Sequence, residues 1–285
     1  MERIVYINGD YLPESDAKIS VFDRGFLFAD AAYEVTSVLD GKLVDNEGHM
    51  ARLKRSCEEL SLPLTLSEEQ LFSIHKELVR LNKLDEGGVY LQLTRGNDGD
   101  RDFGYSADIA TTLVLFTQKK NLVTCPQADK GIAVVSVEDI RWKRRDIKTT
   151  SLLPACLAKQ VALASGADDA WLTEDGYVTE GGSSNAYIVT QDDKLVTRPL
   201  SNHILHGITR ASLLQLAEQN NIEIEERLFT VEEAKQAKEA FISSATTFVW
   251  PVVNIDGTTI GSGQPGELTR KLRDIYISMA KSMSR

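Results

Sequence analysis

Between Asp139 and Gln160 the sequence reads DIRWKRRDIKTTSLLPACLAKQ, with Arg141, Lys143, Arg144, Arg145 and Lys148 crowded into eight positions of a chain whose net charge is −10. Lys148 stands apart from the other four cations. It follows Asp-Ile and precedes Thr-Thr-Ser-Leu-Leu, where a strand is expected to end and a helix to begin, and Ile140, Trp142 and Ile147 supply apolar surroundings. A lysine held in such a place, with cations close by, is pushed toward its neutral, nucleophilic amine. That is the state a Schiff-base lysine needs. Basic clusters are also the ordinary solvated faces of proteins, and this stretch alone leaves both uses open.

Three segments downstream could serve such a lysine. In TEDGYVTEGGSSNAYIV, Glu180 ends a strand and is followed by Gly-Gly-Ser-Ser-Asn. Glycines there let backbone approach a ligand, while Ser184 and its neighbours offer donors. A carboxylate at that place could hold a proton on a heteroaromatic nitrogen, or be a surface glutamate beside a hairpin turn. In HGITRASLL, Gly207, Ile208 and Thr209 open a helix, so backbone N–H groups and a hydroxyl make an anion site. In SSATTFVWP, small residues that include Ala245 and Thr246 end a strand and suit phosphate or carboxylate. Arg52, in GHMARLKRS, can add a guanidinium to the same anion. His203 and His206 have no carboxylate or cysteine at ligand spacing, so no metal is expected.

These residues need a scaffold. RIVYINGD reads as a hairpin with its turn at Asn-Gly, and AAYEVTSVLDGKLV as two strands joined at Asp40-Gly41. Met50, Leu53, Cys57 and Leu60 recur at helical spacing, as do Leu71, Ile74, Leu78 and Leu81, with Ser67 an N-cap for the second helix. GGVYLQLTRG and IATTLVLFTQ are strands flanking a polar loop. An α/β domain over residues 1–118 follows, then an interdomain connection at 119–130, then a strand-rich domain over 131–285 with helices interspersed.

The totals exclude several classes. Hydrophobic residues make up 42% and charged residues 26%, so a packed core is expected rather than disorder. A sequence pI near 5.0 opposes reading RWKRR as a nucleic-acid contact, because a polyanion would meet a repelling field. Cys57, Cys125 and Cys156 lie far apart and suit a reducing cytoplasm. No run of 18 apolar residues occurs, and the N-terminus has no apolar leader core. A cytoplasmic protein without a membrane span is expected.

A lysine after one strand, a glutamate after another and two small-residue anion loops, in this order, resemble the fold-type IV pyridoxal-phosphate enzymes. Within them, FDRGFLFADAAYEV, VEDIRWKRRDIKTTSLLPACLAKQ, VTEGGSSN and ILHGITR look like segments of the D-amino acid (D-alanine) aminotransferases. The resemblance covers essentially the whole chain. It implies a two-domain α/β (α+β) fold, a small N-terminal sandwich and a larger strand-rich pseudo-barrel, with pyridoxal 5′-phosphate as cofactor. It also implies that Lys148 bonds to the cofactor and shuttles the substrate proton, and that Glu180 pairs with the pyridine nitrogen. Arg52, Ser184, Ile208, Thr209, Ala245 and Thr246 match cofactor-binding positions, and Tyr33, Tyr90 and Arg101 match substrate-binding ones. A homodimer is implied, because in this family a loop crosses to the partner's site with an arginine and a histidine that trap the substrate carboxylate.

This sequence departs from that pattern in two places. The loop reads TRGNDGDRDFGY, one residue longer than expected, with Phe103 where the histidine would stand. Ala245 stands where relatives often carry a threonine. The expected activity is transfer of an amino group between D-amino acids, D-alanine and D-glutamate among them, and 2-oxo acids by a ping-pong cycle. An (R)-selective amine transaminase is the alternative that the altered loop keeps open. Branched-chain aminotransferase and aminodeoxychorismate lyase are further relatives on this fold.

Overall fold

The computed structural model describes residues 2–283. The chain forms two compact units, one made of the chain up to Asn121 together with Ile147–Ser151, the other of Leu122–Asp146 and Leu152–Ser282.

In the first unit, β1 (Ile4–Ile7) and β2 (Asp10–Pro13) pair around Asn8 and Gly9, both at positive φ, as a two-residue hairpin turn requires. A short helix α1 (Arg24–Phe28) leads into the long β3 (Ala31–Leu39), and β4 (Lys42–Leu43) folds back on it. Helices α2 (Asn46–Glu59) and α3 (Glu68–Leu81) follow, then β5 (Gly87–Thr94) and β6 (Thr112–Lys119). Ser67 caps α3 as expected, its hydroxyl accepting from Gln70 N–H while the Gln70 side chain returns to the Ser67 N–H. The strands form one antiparallel sheet in the order β2-β1-β6-β5-β3-β4. Met50, Leu53 and Cys57 of α2 and Leu71 and Leu78 of α3 pack with Val89, Leu91 and Leu93 of β5. Side chains alternate along a strand, so Tyr33 and Tyr90 leave the opposite face from this core. That face carries the aromatic surface on which the lysine lies.

The second unit opens with α4 (Pro126–Lys130) and β7 (Ile132–Glu138). It continues through α5 (Leu153–Ala164), β8 (Asp169–Glu174), β9 (Tyr177–Gly181), β10 (Asn185–Val189) and β11 (Leu195–Thr197). Helix α6 (Ile208–Gln219), β12 (Ile224–Glu226), α7 (Val231–Lys235), β13 (Glu239–Ser244), β14 (Phe248–Ile255), β15 (Thr258–Thr259) and α8 (Glu267–Ser282) complete it. The strand order is β12-β11-β10-β13-β14-β7-β8-β9, with β15 on β14. β9 ends the sheet on one side, yet it runs through residues 182–184 directly into β10, third from the other side. Such a short link forces the sheet to curl on itself. Trp171, Val178, Ala186, Ile188, Phe229 and Ile242 fill the inside of that curl.

The structure differs from the sequence reading at three points. The expected connection at 119–130 carries α4, and from Leu122 it belongs to the second unit, where Arg273 of α8 donates to the carbonyls of Leu122 and Val123 at 2.6 and 2.8 Å. The strand expected to run to Trp142 stops at Glu138; the Asp139 N–H still reaches the Thr173 carbonyl at 2.8 Å, but Asp139 and Arg141 then turn their side chains to one another. Lys148 therefore sits in an irregular segment between β7 and α5, not at a strand end, and Ile147–Ser151 belongs to the first unit. The helix expected over TVEEAKQAKEA is only Val231–Lys235, because β13 claims the residues from Glu239 onward. Among the described residues, no helix is long and apolar enough to cross a membrane.

Candidate active site

The second unit builds its site at the curl. Glu180, near the end of β9, is only 3% exposed. Arg141 Nη1 lies 2.6 Å from its Oε1. The Leu205 N–H reaches both carboxylate oxygens at 3.2 and 3.1 Å, and Asn185 Nδ2 reaches Oε2 at 3.1 Å. Asn185 also donates to the Leu205 carbonyl at 3.1 Å, so one amide ties β9, β10 and the chain before α6 together. Burial pushes the Glu180 carboxyl up, against the pull of Arg141 and the Leu205 N–H. Arg141 is itself gripped by Asp139, through Nε at 2.9 Å and Nη2 at 2.7 Å, and Thr179 donates to Asp139 at 2.7 Å. Burial works against the Arg141 charge, but Asp139 and Glu180 outweigh it and hold the guanidinium protonated.

The other arginines of the basic cluster are also paired. Arg144 meets Asp146 at 3.1 and 3.2 Å, and Arg145 meets Glu174 at 3.1 and 2.8 Å. The sequence alone reads them as solvated charges acting on Lys148. In the structure each instead has a carboxylate partner.

The anion-binding segments lie in the same unit. Ser184 Oγ is buried with no hydrogen-bond partner. A Cβ at Gly181 would come within 2.2 Å of that oxygen, so any larger residue there would displace the Ser184 hydroxyl. Gly207 precedes α6 without a side-chain cap, and a Cβ there would stand 2.0 Å from Asn185 Oδ1. Ile208 and the buried Thr209 open the helix, which packs on β13. β13 ends at Ser244, next to Ala245 and Thr246 in the turn to β14. An orphaned hydroxyl, an uncapped helix start and a turn of small residues form a donor set that fits a phosphate. Glu180 in the same unit fits a ring nitrogen. The residues present therefore fit the expected cofactor.

The first unit holds the amine. The half-buried Lys148 accepts from the Tyr33 N–H through its carbonyl at 3.0 Å and donates its own N–H to Ser56 Oγ at 3.3 Å. Its Nζ lies 4.1 Å from the centroid of the Tyr33 ring. Tyr33 stacks on Tyr90 at 5.6 Å, and Tyr90 on Phe116 at 4.7 Å. The Tyr90 hydroxyl donates to Gln92 at 2.7 Å, and burial raises its pKa, so it remains a donor.

Arg52 has a partner within the chain. Its Nε and Nη2 each lie 2.8 Å from an oxygen of Glu34, and His49 Nδ1 lies 2.8 Å from Glu34 Oε2. Glu34 is fully buried, and burial alone would raise its pKa, but Arg52 and His49 hold it far below the usual carboxylate range. Arg101 is exposed, its guanidinium 5.1 Å from the Phe28 ring and 5.3 Å from the Phe103 ring.

The structure thus brings Tyr33, Tyr90 and Lys148 together in one unit, and Glu180, Ser184, Ile208, Thr209, Ala245 and Thr246 in the other. Sequence reasoning missed Arg141 and Asp139 as the pair that holds Glu180, and Glu34 as the partner of Arg52.

Comparison with known proteins bears on this geometry. A family model described as amino-transferase class IV matches residues 31–255. A D-alanine aminotransferase of Bacillus licheniformis is 40% identical over 272 residues, covering 94% of each chain. A branched-chain amino acid aminotransferase of Escherichia coli superposes with a TM-score of 0.91 over 100% of this chain and 97% of that one, at 21% identity. Another branched-chain amino acid aminotransferase, from Thermoproteus uzoniensis with norvaline, superposes at 0.85 over 99% and 96%, with 25% identity.

The Glu34 cluster supports a stability prediction. Glu34→Gln breaks a buried ion pair and should destabilise the protein by about 3 kcal/mol near pH 7, read from urea unfolding. The folded pKa of Glu34 is lowered, so its contribution is complete above the ordinary glutamate pKa of about 4.3 and declines as pH falls toward the folded value. The gap between wild type and variant should therefore narrow below that pH. A gap that held constant into acid would remove Glu34 from this role.

Proposed function

This chain belongs to the amino-transferase class IV family, and on that footing we propose how its residues carry out amino transfer between D-amino acids and 2-oxo acids. The observation that carries the reading is the Glu180 centre, a buried carboxylate of raised pKa beside the orphaned Ser184 hydroxyl and the uncapped start of α6. Bound pyridoxal phosphate supplies an aromatic ring that takes up the electrons left when the substrate's α-carbon loses its proton. Ile208 and Thr209 at the start of α6, with Ala245 and Thr246, hold its phosphate through N–H groups and hydroxyls. Glu180, kept in place by Arg141, Asn185 and the Leu205 N–H, keeps a proton on the ring nitrogen. Lys148 would be the residue that holds the cofactor's carbonyl carbon, and its freed amine would serve as the base that moves the substrate's α-proton. Tyr33 carries that lysine on its ring face. Arg101 binds the substrate carboxylate by a charge-assisted pair and thereby selects the D-enantiomer.

The working enzyme is proposed as a homodimer in the cytoplasm, a setting that suits three free cysteines. On α5, Leu153, Leu157 and Val161 are 70%, 49% and 47% exposed at positions one helical turn apart. An apolar stripe of this kind calls for a cover, and a second copy of the chain is the proposed one.

Borohydride reduction of the yellow enzyme should fix the cofactor on the peptide that contains Lys148; a label on Lys143 or Lys159 would overturn that assignment. Glu180→Gln should lower kcat on the order of a hundredfold, about 2.7 kcal/mol of barrier. A near-normal kcat would place the ring's acid elsewhere. Leu157→Glu should shift the sedimentation coefficient from that of a dimer toward that of a monomer, and an unchanged value would take α5 out of the interface.

A further inference from the structure

Arg101 can select a carboxylate only if its loop is held still. Nothing local does that. Within the loop, Gly104 N–H bonds to Asp102 Oδ1 at 2.8 Å and Ser106 N–H to Asp98 Oδ2 at 2.7 Å, contacts that shape the segment without tying it to the sheet. Asp102, Phe103, Gly104 and Tyr105 are all exposed.

The tie comes from Arg24, which is only 7% exposed. Its Nη1 donates to the carbonyls of Asp102 at 2.7 Å and Gly104 at 3.0 Å, and its Nη2 to that of Phe103 at 3.1 Å. Three consecutive carbonyls thus converge on one guanidinium, whose planar fork can serve them together; an ammonium of the same charge has no such geometry. Arg24 is anchored in turn. Its backbone N–H bonds to the Gly96 carbonyl at 2.8 Å, and its Nε lies 3.0 Å from Asp30 Oδ2. The same Asp30 oxygen takes Arg95 Nε at 2.8 Å, and Arg95 donates to the carbonyls of Ser61 and Leu60 at 2.9 and 2.8 Å, just past α2. The Tyr105 ring lies over both cations, 4.0 Å from Arg95 and 5.1 Å from Arg24.

We infer that Arg24 is a positioning residue for substrate selection: it holds the backbone of residues 102–104 so that Phe103 packs on Phe28 at 5.7 Å and Arg101 is presented against both rings. The inference rests on the proposed reading of Arg101 as the carboxylate anchor. A loop ordered in advance binds without a further loss of conformational freedom, so Arg24 acts on binding of the carboxylate and far less on the chemical step.

Steady-state kinetics and amide hydrogen exchange on the holoenzyme test this together. Arg24→Lys should raise KM for D-alanine about tenfold with a much smaller change in kcat, and lower the preference for D-alanine over (R)-1-phenylethylamine by a similar factor. The peptide covering residues 98–106 should exchange faster in the variant. Tyr105→Ala, an exposed position whose loss leaves both unit cores intact, should move both readouts in the same direction if Arg24→Lys fails to fold. Arg101→Ala separates the two readings. If it raises KM for D-alanine while Arg24→Lys and Tyr105→Ala leave KM and exchange at wild-type values, the role of Arg24 is wrong and the anchor stands. If Arg101→Ala leaves KM unchanged, the anchor reading fails, and with it the selection role of Arg24, whatever the exchange shows.

Discussion

The structure turns on a carboxylate taken out of water. Glu180 lies at the seam where β9 passes into β10, and a lone ion there would cost several kcal/mol. The cost is met locally by Arg141, Asn185 and the Leu205 N–H. Each of these donors belongs to a different segment, so satisfying one acid also fixes the chain after β7, the start of β10 and the approach to α6. The short β9–β10 link that curls the sheet is therefore also where the site's acid is held.

The same device recurs in the first unit. Glu34 holds Arg52 and His49 beneath β3, and Asp30 holds Arg24 and Arg95 beside α1. In each cluster an acid orients a guanidinium through a two-pronged or shared contact, and in two of them the remaining donors reach onward. Arg141 goes on to Glu180, and Arg24 to three loop carbonyls. A guanidinium suits this relay because it stays charged and presents five donors in a plane. Polar order of this kind is rigid where a loop alone would not be, and it ties the exposed segment around Arg101 to the first unit.

Much of the fold could be read from local pattern. The Asn-Gly hairpin, the capping box at Ser67 and the apolar spacing of α2 and α3 are properties of a few neighbouring residues, and each appears where its pattern stands. The lysine's surroundings were harder to read. Charge counting along DIRWKRRDIK suggested a cloud of free cations, since a linear sequence shows how many charges are adjacent but not which acids fold back on them. Asp139 and Asp146 are in the same stretch, but Glu174 and Glu180 come from β8 and β9.

By itself the sequence determined the kinds of groups available: one distinctive lysine, one acid followed by glycines and serines, two small-residue anion loops, and a loop with phenylalanine beside its arginine. It also determined most elements, because helix and strand periods are written in consecutive residues. Tertiary structure alone decided which charges neutralise one another, that Ile147–Ser151 joins the first unit, and that Arg24 governs a loop 78 to 80 residues away. The reason is physical. A hydrophobic pattern repeats and can be recognised locally, whereas an ion pair is a single contact between distant residues and exists only once the chain has folded.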